Sequence, residues 1–180
     1  MTRYTQLLLV LLLISVLSAC ETSNNEPTYH DSPEKQKMLE QQRALYESNL
    51  AHWKSTGLMN YEFTRSIDCD CEDKRDMVVS VVDGKIARAY YSNGQGNVNE
   101  GVSSNKLNAY VSINDFFKMI DDSIKRHYDV IDTEYNNDYG FPASIHLLQN
   151  KDNKQAAIGF RVSKFNIRYT ISFPPIQKKP

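Results

Sequence analysis

Met77-Val78-Val79-Ser80-Val81-Val82-Asp83-Gly84-Lys85 decides the fold. A valine-rich run of this kind fits a pleated, half-buried surface and reads as a strand. Asp83-Gly84 is a two-residue hairpin turn, because both central positions of such a turn need a positive φ. Lys85 to Tyr91 then returns as the partner strand. Upstream, Tyr61, Phe63, Arg65 and Ile67 alternate with Glu62, Thr64 and Ser66, the period of a strand with one buried face. Strands joined by short turns pair antiparallel. The centre of the chain therefore predicts an antiparallel sheet.

Working outward, Asp31 or Ser32 is placed to cap a helix with Pro33 at its first position. Met38, Leu39, Leu45, Tyr46, Leu50 and Trp53 fall near helical spacing, and Gly57 is a stop. The first helix is predicted from Glu34 to Lys54. On the other side, residues 92–109 are rich in Ser, Asn and Gly and read as a long loop, mobile or ligand-binding. Ser112 caps a second helix with Asp115 in the capping-box position, and Ile113, Phe116, Phe117, Ile120 and Ile124 form its apolar face. That helix ends near His127-Tyr128. Val130 to Tyr135 and Ser144 to Gln149 read as strands around the turn Asn136-Asn137-Asp138-Tyr139-Gly140-Phe141-Pro142. Ala157 to Ser163 and Ile167 to Phe173 are two further strands, and the tail from Pro174 to Pro180 is expected to fray. The expectation is an α+β fold, with two helices packed on one face of a mainly antiparallel sheet of about five to seven strands.

The amino terminus carries a different message. Met1-Thr2-Arg3-Tyr4 holds one positive charge, an apolar run follows from Leu7 to Leu17, and the run ends in Leu17-Ser18-Ala19-Cys20. These are the parts of a secretion signal, too short for a transmembrane helix of roughly 20 apolar residues. The Leu-Ser-Ala-Cys end resembles the lipobox of bacterial lipoproteins. That resemblance implies removal of residues 1–19 and lipid attachment on Cys20, the new first residue. Glu21 follows rather than the aspartate of inner-membrane retention. The expected location is the cell envelope, at the outer membrane facing the periplasm. Residues 21–32 are polar with few core formers and read as a flexible tether to a single domain at 33–173. The expected partners are the membrane, through the lipid on Cys20, and an envelope protein or cell-wall component. A formal net charge of −1 gives no basic face for nucleic acid.

The pattern across the domain resembles a family of bacterial lipoproteins with a domain of unknown function, number 6174. The residues that carry the resemblance are Trp53, Asn60-Tyr61-Glu62-Phe63, Cys69-Asp70-Cys71, Val79 to Lys85, Ile113-Asn114-Asp115-Phe116-Phe117, Tyr139 to Ile145 and Val162-Ser163-Lys164-Phe165. They span roughly residues 45–165. The resemblance implies no catalytic residues.

Cys69 and Cys71 are the sharpest chemical feature. An oxidising compartment favours a disulfide between them. On a regular strand their Cα atoms would lie about 6.6 Å apart, from a rise of roughly 3.3 Å per residue. A bridge needs Cβ atoms about 3.8 Å apart, so it requires a bend, which the polar stretch Asp68 to Asp76 can supply. Three readings stay open: a structural clip, a thiol-redox pair and a metal site. Acidic neighbours Asp68, Asp70, Glu72 and Asp73 raise a thiol's pKa and oppose thiolate attack. Their spacing is not that of an EF-hand loop. His30, His52, His127 and His146 sit in no metal or nucleophile motif, and Ser103, Ser104 and Ser163 lack a hydrolase elbow. Tyr139 and Phe141 frame an aromatic corner, either a structural turn or a docking surface. No cofactor motif is present. The function expected from the residues is a non-catalytic envelope module that binds through a sheet face or the 92–109 loop. The alternative is a thiol-redox or metal-handling lipoprotein using Cys69 and Cys71. A hydrolase assembled from distant residues is the weakest reading.

Overall fold

The computed structural model describes residues 31–71, 74–92, 98–101, 111–153 and 156–168. From Asp31 on, the described residues form one compact unit. The expected signal segment, Cys20, most of the tether, Ser103, Ser104, Glu72, Asp73 and the tail from Pro174 lie outside the described residues.

Helix α1 runs Pro33–Ser55, with Ser32 as its cap accepting a hydrogen bond from the Lys35 amide. Strands β1 (Tyr61–Cys69), β2 (Met77–Val82), β3 (Lys85–Ser92) and β4 (Val98–Gly101) follow. Helix α2 (Ile113–Lys125) leads into β5 (Val130–Tyr135), β6 (Pro142–Leu148) and β7 (Ile158–Ile167). All seven strands join one antiparallel sheet in the order β4-β3-β2-β1-β7-β6-β5. Two meanders are thus welded by the β1–β7 pair, whose partners are far apart in the chain. The α+β architecture with two helices on one sheet face is as the sequence predicts.

Both helices pack on the face that carries Tyr61, Phe63, Met77, Val79, Val81, Ile145 and Phe160, all buried. Phe116 of α2 meets Phe63 and Phe160, and Trp53 of α1 meets Tyr61 and Phe141 edge to face. Edge-to-face pairs of this kind add to the burial of the rings themselves. The Ser112–Asp115 capping box forms as the sequence indicates. The Asp83-Gly84 turn forms too, both residues at positive φ. A side chain at Gly84 would also press on Met59, whose backbone oxygen accepts the Gly84 amide.

Three expectations need correction. Leu45 is exposed, not part of the buried face of α1; Leu39 and Trp53 are the buried residues of that helix. Residues 92–109 are not one long loop, because Val98–Gly101 pairs with Tyr90–Ser92 as an edge strand. Val-Asn-Glu-Gly has no apolar alternation, so its pairing is set by the open hydrogen-bonding edge of β3. The strands expected at 157–163 and 167–173 become one strand through Ile167, and residues 169–173 lie outside the described residues. Lys164 adopts a φ of 50° at a bulge opposite Phe63, so the strand bends without ending.

Candidate functional site

The Cys69–Cys71 segment is built by the end of β1. Pairing holds β1 against β7 as far as Cys69, opposite Ile158, and regular structure then stops. The chain bends at Asp70, the Cα atoms of the two cysteines close to 5.3 Å, and their sulfurs are bonded. That is the bend a bridge requires, since an extended strand would hold these Cα atoms about 6.6 Å apart. Cys69 is half-buried and Cys71 exposed. Asp68 and Asp70, both exposed, flank the pair with negative charge. The bridge joins no two elements. It closes three residues that β1 already orders up to Cys69.

The aromatic corner lies elsewhere and faces inward. Asn136 builds the turn, its side-chain oxygen accepting the Asp138 and Tyr139 amides. Gly140 has a φ of 76°, and a Cβ there would collide with the Asn49 carbonyl and His52 on α1. The corner is therefore pressed beneath α1. Phe141 is buried, stacked on Phe165 at 4.5 Å, while Tyr139 is half-buried against the same rings. Phe141 is thus a core residue and offers no docking ring, because α1 already occupies that surface.

Residues 45–167 match DUF6174, a family of unknown function. The chain belongs to this family. No curated protein and no solved structure matches the chain. The matched span opens within α1 and closes at the last residue of β7, so it takes in the cysteine pair, the aromatic corner and the whole sheet of the DUF6174 domain.

The histidines separate in role. His127 follows α2 at a φ of 54°, and the His127 and Tyr128 amides donate back to the Ile124 and Ser123 carbonyls. This closes the helix as a Schellman motif. The His127 ring also meets the Asp31 carboxylate, which Lys35 approaches from α1, and Lys35 reaches on to Asp129. Burial alone would raise the Asp31 carboxyl, but hydrogen bonds from His127 and Lys35 outweigh it and hold it below the usual range. This knot fixes the chain where it enters the domain. Sequence reading placed His127 only at a helix end, because its partner is 96 positions away.

A groove of about 460 Å³ runs between the helices, lined by Tyr46, Leu50, Trp53, Leu58 and Phe117. Its polar groups are largely committed. The Trp53 ring nitrogen donates to Asn114 at 3.0 Å, and Asp121 pairs with Arg43 and Lys125. Burial raises the Asp121 carboxyl, but its two cationic partners Lys125 and Arg43 outweigh that and leave it below the usual carboxylate range. Among the described residues no group of three or more His, Cys, Asp or Glu side chains is placed to hold a metal ion. Also among them, no helix is long and apolar enough to cross a membrane.

Proposed function

We propose that this DUF6174 domain exchanges thiol and disulfide with a partner dithiol in the cell envelope, where lipid on Cys20 tethers it. The single observation that supports this reading is a disulfide, exposed at Cys71, that joins no two elements of the fold. In the chain-entropy account, closing three residues stabilises a fold by roughly 1.5 kcal/mol, against about 3 kcal/mol for a 15-residue loop. The ordered end of β1 claims part of even that small benefit.

The exchange balances as follows. A partner thiolate attacks the exposed Cys71 sulfur, a mixed disulfide forms, and the electron pair of the broken bond leaves on Cys69. The partner's second thiol, deprotonated, attacks the mixed disulfide, giving the partner's disulfide and a Cys71 thiolate. The two protons lost by the partner end on Cys69 and Cys71, and the reverse sequence oxidises the pair. Asp68 and Asp70 oppose thiolate at both cysteines, so the pair is a slow nucleophile alone. A partner with basic residues beside its own cysteine relieves that repulsion and speeds exchange.

The test is to alkylate free thiols during lysis of cells making the full chain, then weigh the protein with and without prior reduction. In parallel, the purified chain is equilibrated with glutathione redox buffers. Mixed reduced and oxidised populations, and a Cys69→Ser/Cys71→Ser chain with an unchanged far-ultraviolet spectrum, are the expected results. A bridge fully oxidised in every buffer, together with a double variant that unfolds, would return the pair to the role of a clip. The anchor is tested separately: Cys20→Ala should release the protein into the soluble fraction, and an unchanged mass of the amino-terminal peptide in the parent chain would remove lipid from the reading.

A further inference from the structure

Gly159 interrupts a row of side chains on the sheet face opposite the helices. Asp68 of β1, Gly159 of β7 and His146 of β6 stand directly opposite one another. The neighbouring row is Ser66, Arg161 and Ser144. Residues two apart on a strand share a face, so five polar side chains surround the one position that has none. They rim an open hollow of about 250 Å³ with strand backbone as its floor. A Cβ on Gly159 would come within 3.2 Å of the Asp68 Cβ and fill that floor.

The charges in this hollow are unspent. Lys35, Arg43, Lys118, Lys125 and Arg168 all meet carboxylates elsewhere in the domain. Asp68 and Arg161 are diagonal neighbours across β1 and β7, roughly 7–8 Å apart at the backbone and within reach of long side chains. Among the described residues neither forms an ion pair, and none of the five side chains bonds to another described side chain. A positive and a negative group held side by side, each open, complement a ligand carrying both charges close together.

We propose that this hollow binds a small zwitterion of the α-amino-acid class. The ligand carboxylate lies on the Arg161 guanidinium, whose fork of donors matches it, with the Ser66 and Ser144 hydroxyls donating on either side. The ligand ammonium lies on Asp68. His146 forms the remaining wall and limits the side chain that fits. A simple anion meets Asp68 and a simple cation meets Arg161, so each alone is disfavoured. The proposal does not rest on the reading of the cysteine pair, although Asp68 adjoins Cys69 in the chain.

The experiment is a titration of the full mature chain followed by amide chemical shifts and by calorimetry, with alanine, acetate, ethylammonium and inorganic phosphate as separate probes. Alanine should bind saturably and shift the amides around Ser66, Asp68, Ser144, His146, Gly159 and Arg161. Acetate and ethylammonium should bind about tenfold more weakly or worse, the value of one charge-assisted contact. Arg161→Ala and Asp68→Asn should each weaken alanine by about tenfold, with the melting midpoint unchanged. Absence of any saturable shift with alanine overturns the proposal. Acetate or phosphate binding as tightly as alanine, undisturbed by Asp68→Asn, overturns it in favour of a plain anion site.

Discussion

The two faces of this one sheet spend their side chains differently. On the helix face, rings fill the space: Phe63 and Tyr61 are almost wholly buried, Phe116 meets Phe63 and Trp53 meets Tyr61 edge to face, and Phe160 and Phe141 pack in turn on Phe116 and Trp53. At the margin of that face Trp53 pairs with Asn114 and Asp121 with its two cations, while the buried Tyr61 and Tyr135 hydroxyls have no hydrogen-bond partner among the described residues. On the other face, Glu62 accepts from Ser80 and Arg168 at one end. Around Gly159 such pairing is left undone. Apolar packing is concentrated on the first face, and open charged side chains on the second.

Three outcomes would break or sharpen that contrast. The largest effect is expected at Phe63, where Phe63→Ala should cost about 3–5 kcal/mol, read by urea unfolding, because a buried ring leaves a cavity. A cost under 1 kcal/mol would mean the helix face is not the core.

A smaller effect belongs to acid. Asp31, Asp121 and Asp129 are all held below their ordinary values by cationic partners and, for Asp129, by the Lys151 amide as well. A carboxylate depressed in the folded chain is protonated more readily in the unfolded one, so the unfolded state binds more protons between the two values. The stabilisation is complete above the unfolded value of about 3.9 and is lost as pH falls through the lower folded values. Melting midpoints should therefore drop only below about pH 4, and Asp31→Asn should flatten part of that drop. An equal slope in the variant would detach the Asp31–His127–Lys35 knot from stability.

The smallest effect is expected on the second face. Asp68→Asn and Arg161→Ala should each shift unfolding by less than about 0.5 kcal/mol, as for surface groups without partners. A larger loss would show that these charges belong to the fold, and the contrast between the faces would fail.

How much of this was legible in the sequence follows from the range of each interaction. The Asp83-Gly84 turn and the Ser112–Asp115 capping box were readable because each is settled within four residues. The α2 face was readable because its period is intact. Leu45 was misread because α1 has a weak apolar stripe, and a neighbouring leucine takes either side of it. The Lys164 bulge was invisible, since neither lysine nor its neighbours favour a positive φ and the backbone there is held by β1. The cysteine pair could be named but not resolved, because the bend that lets the sulfurs meet depends on where β1 stops pairing with β7. The hollow at Gly159 had no signal in order along the chain: Ser66, Ser144 and Arg161 come from three strands.

By itself the sequence determined both helices and most of the strands, the Asp83-Gly84 turn and the helix caps, the class of fold and the identity of the chemical groups available. Those properties rest on contacts between residues a few positions apart, where alternation, helical period and turn residues act directly. Only the tertiary structure decided that β7 docks on β1, that Phe141 turns under α1, and that Asp68, His146 and Arg161 share one hollow. Those choices come from closing long stretches of chain to bury one sheet face. Which side chains then meet on the opposite face follows from strand register, which no local pattern carries.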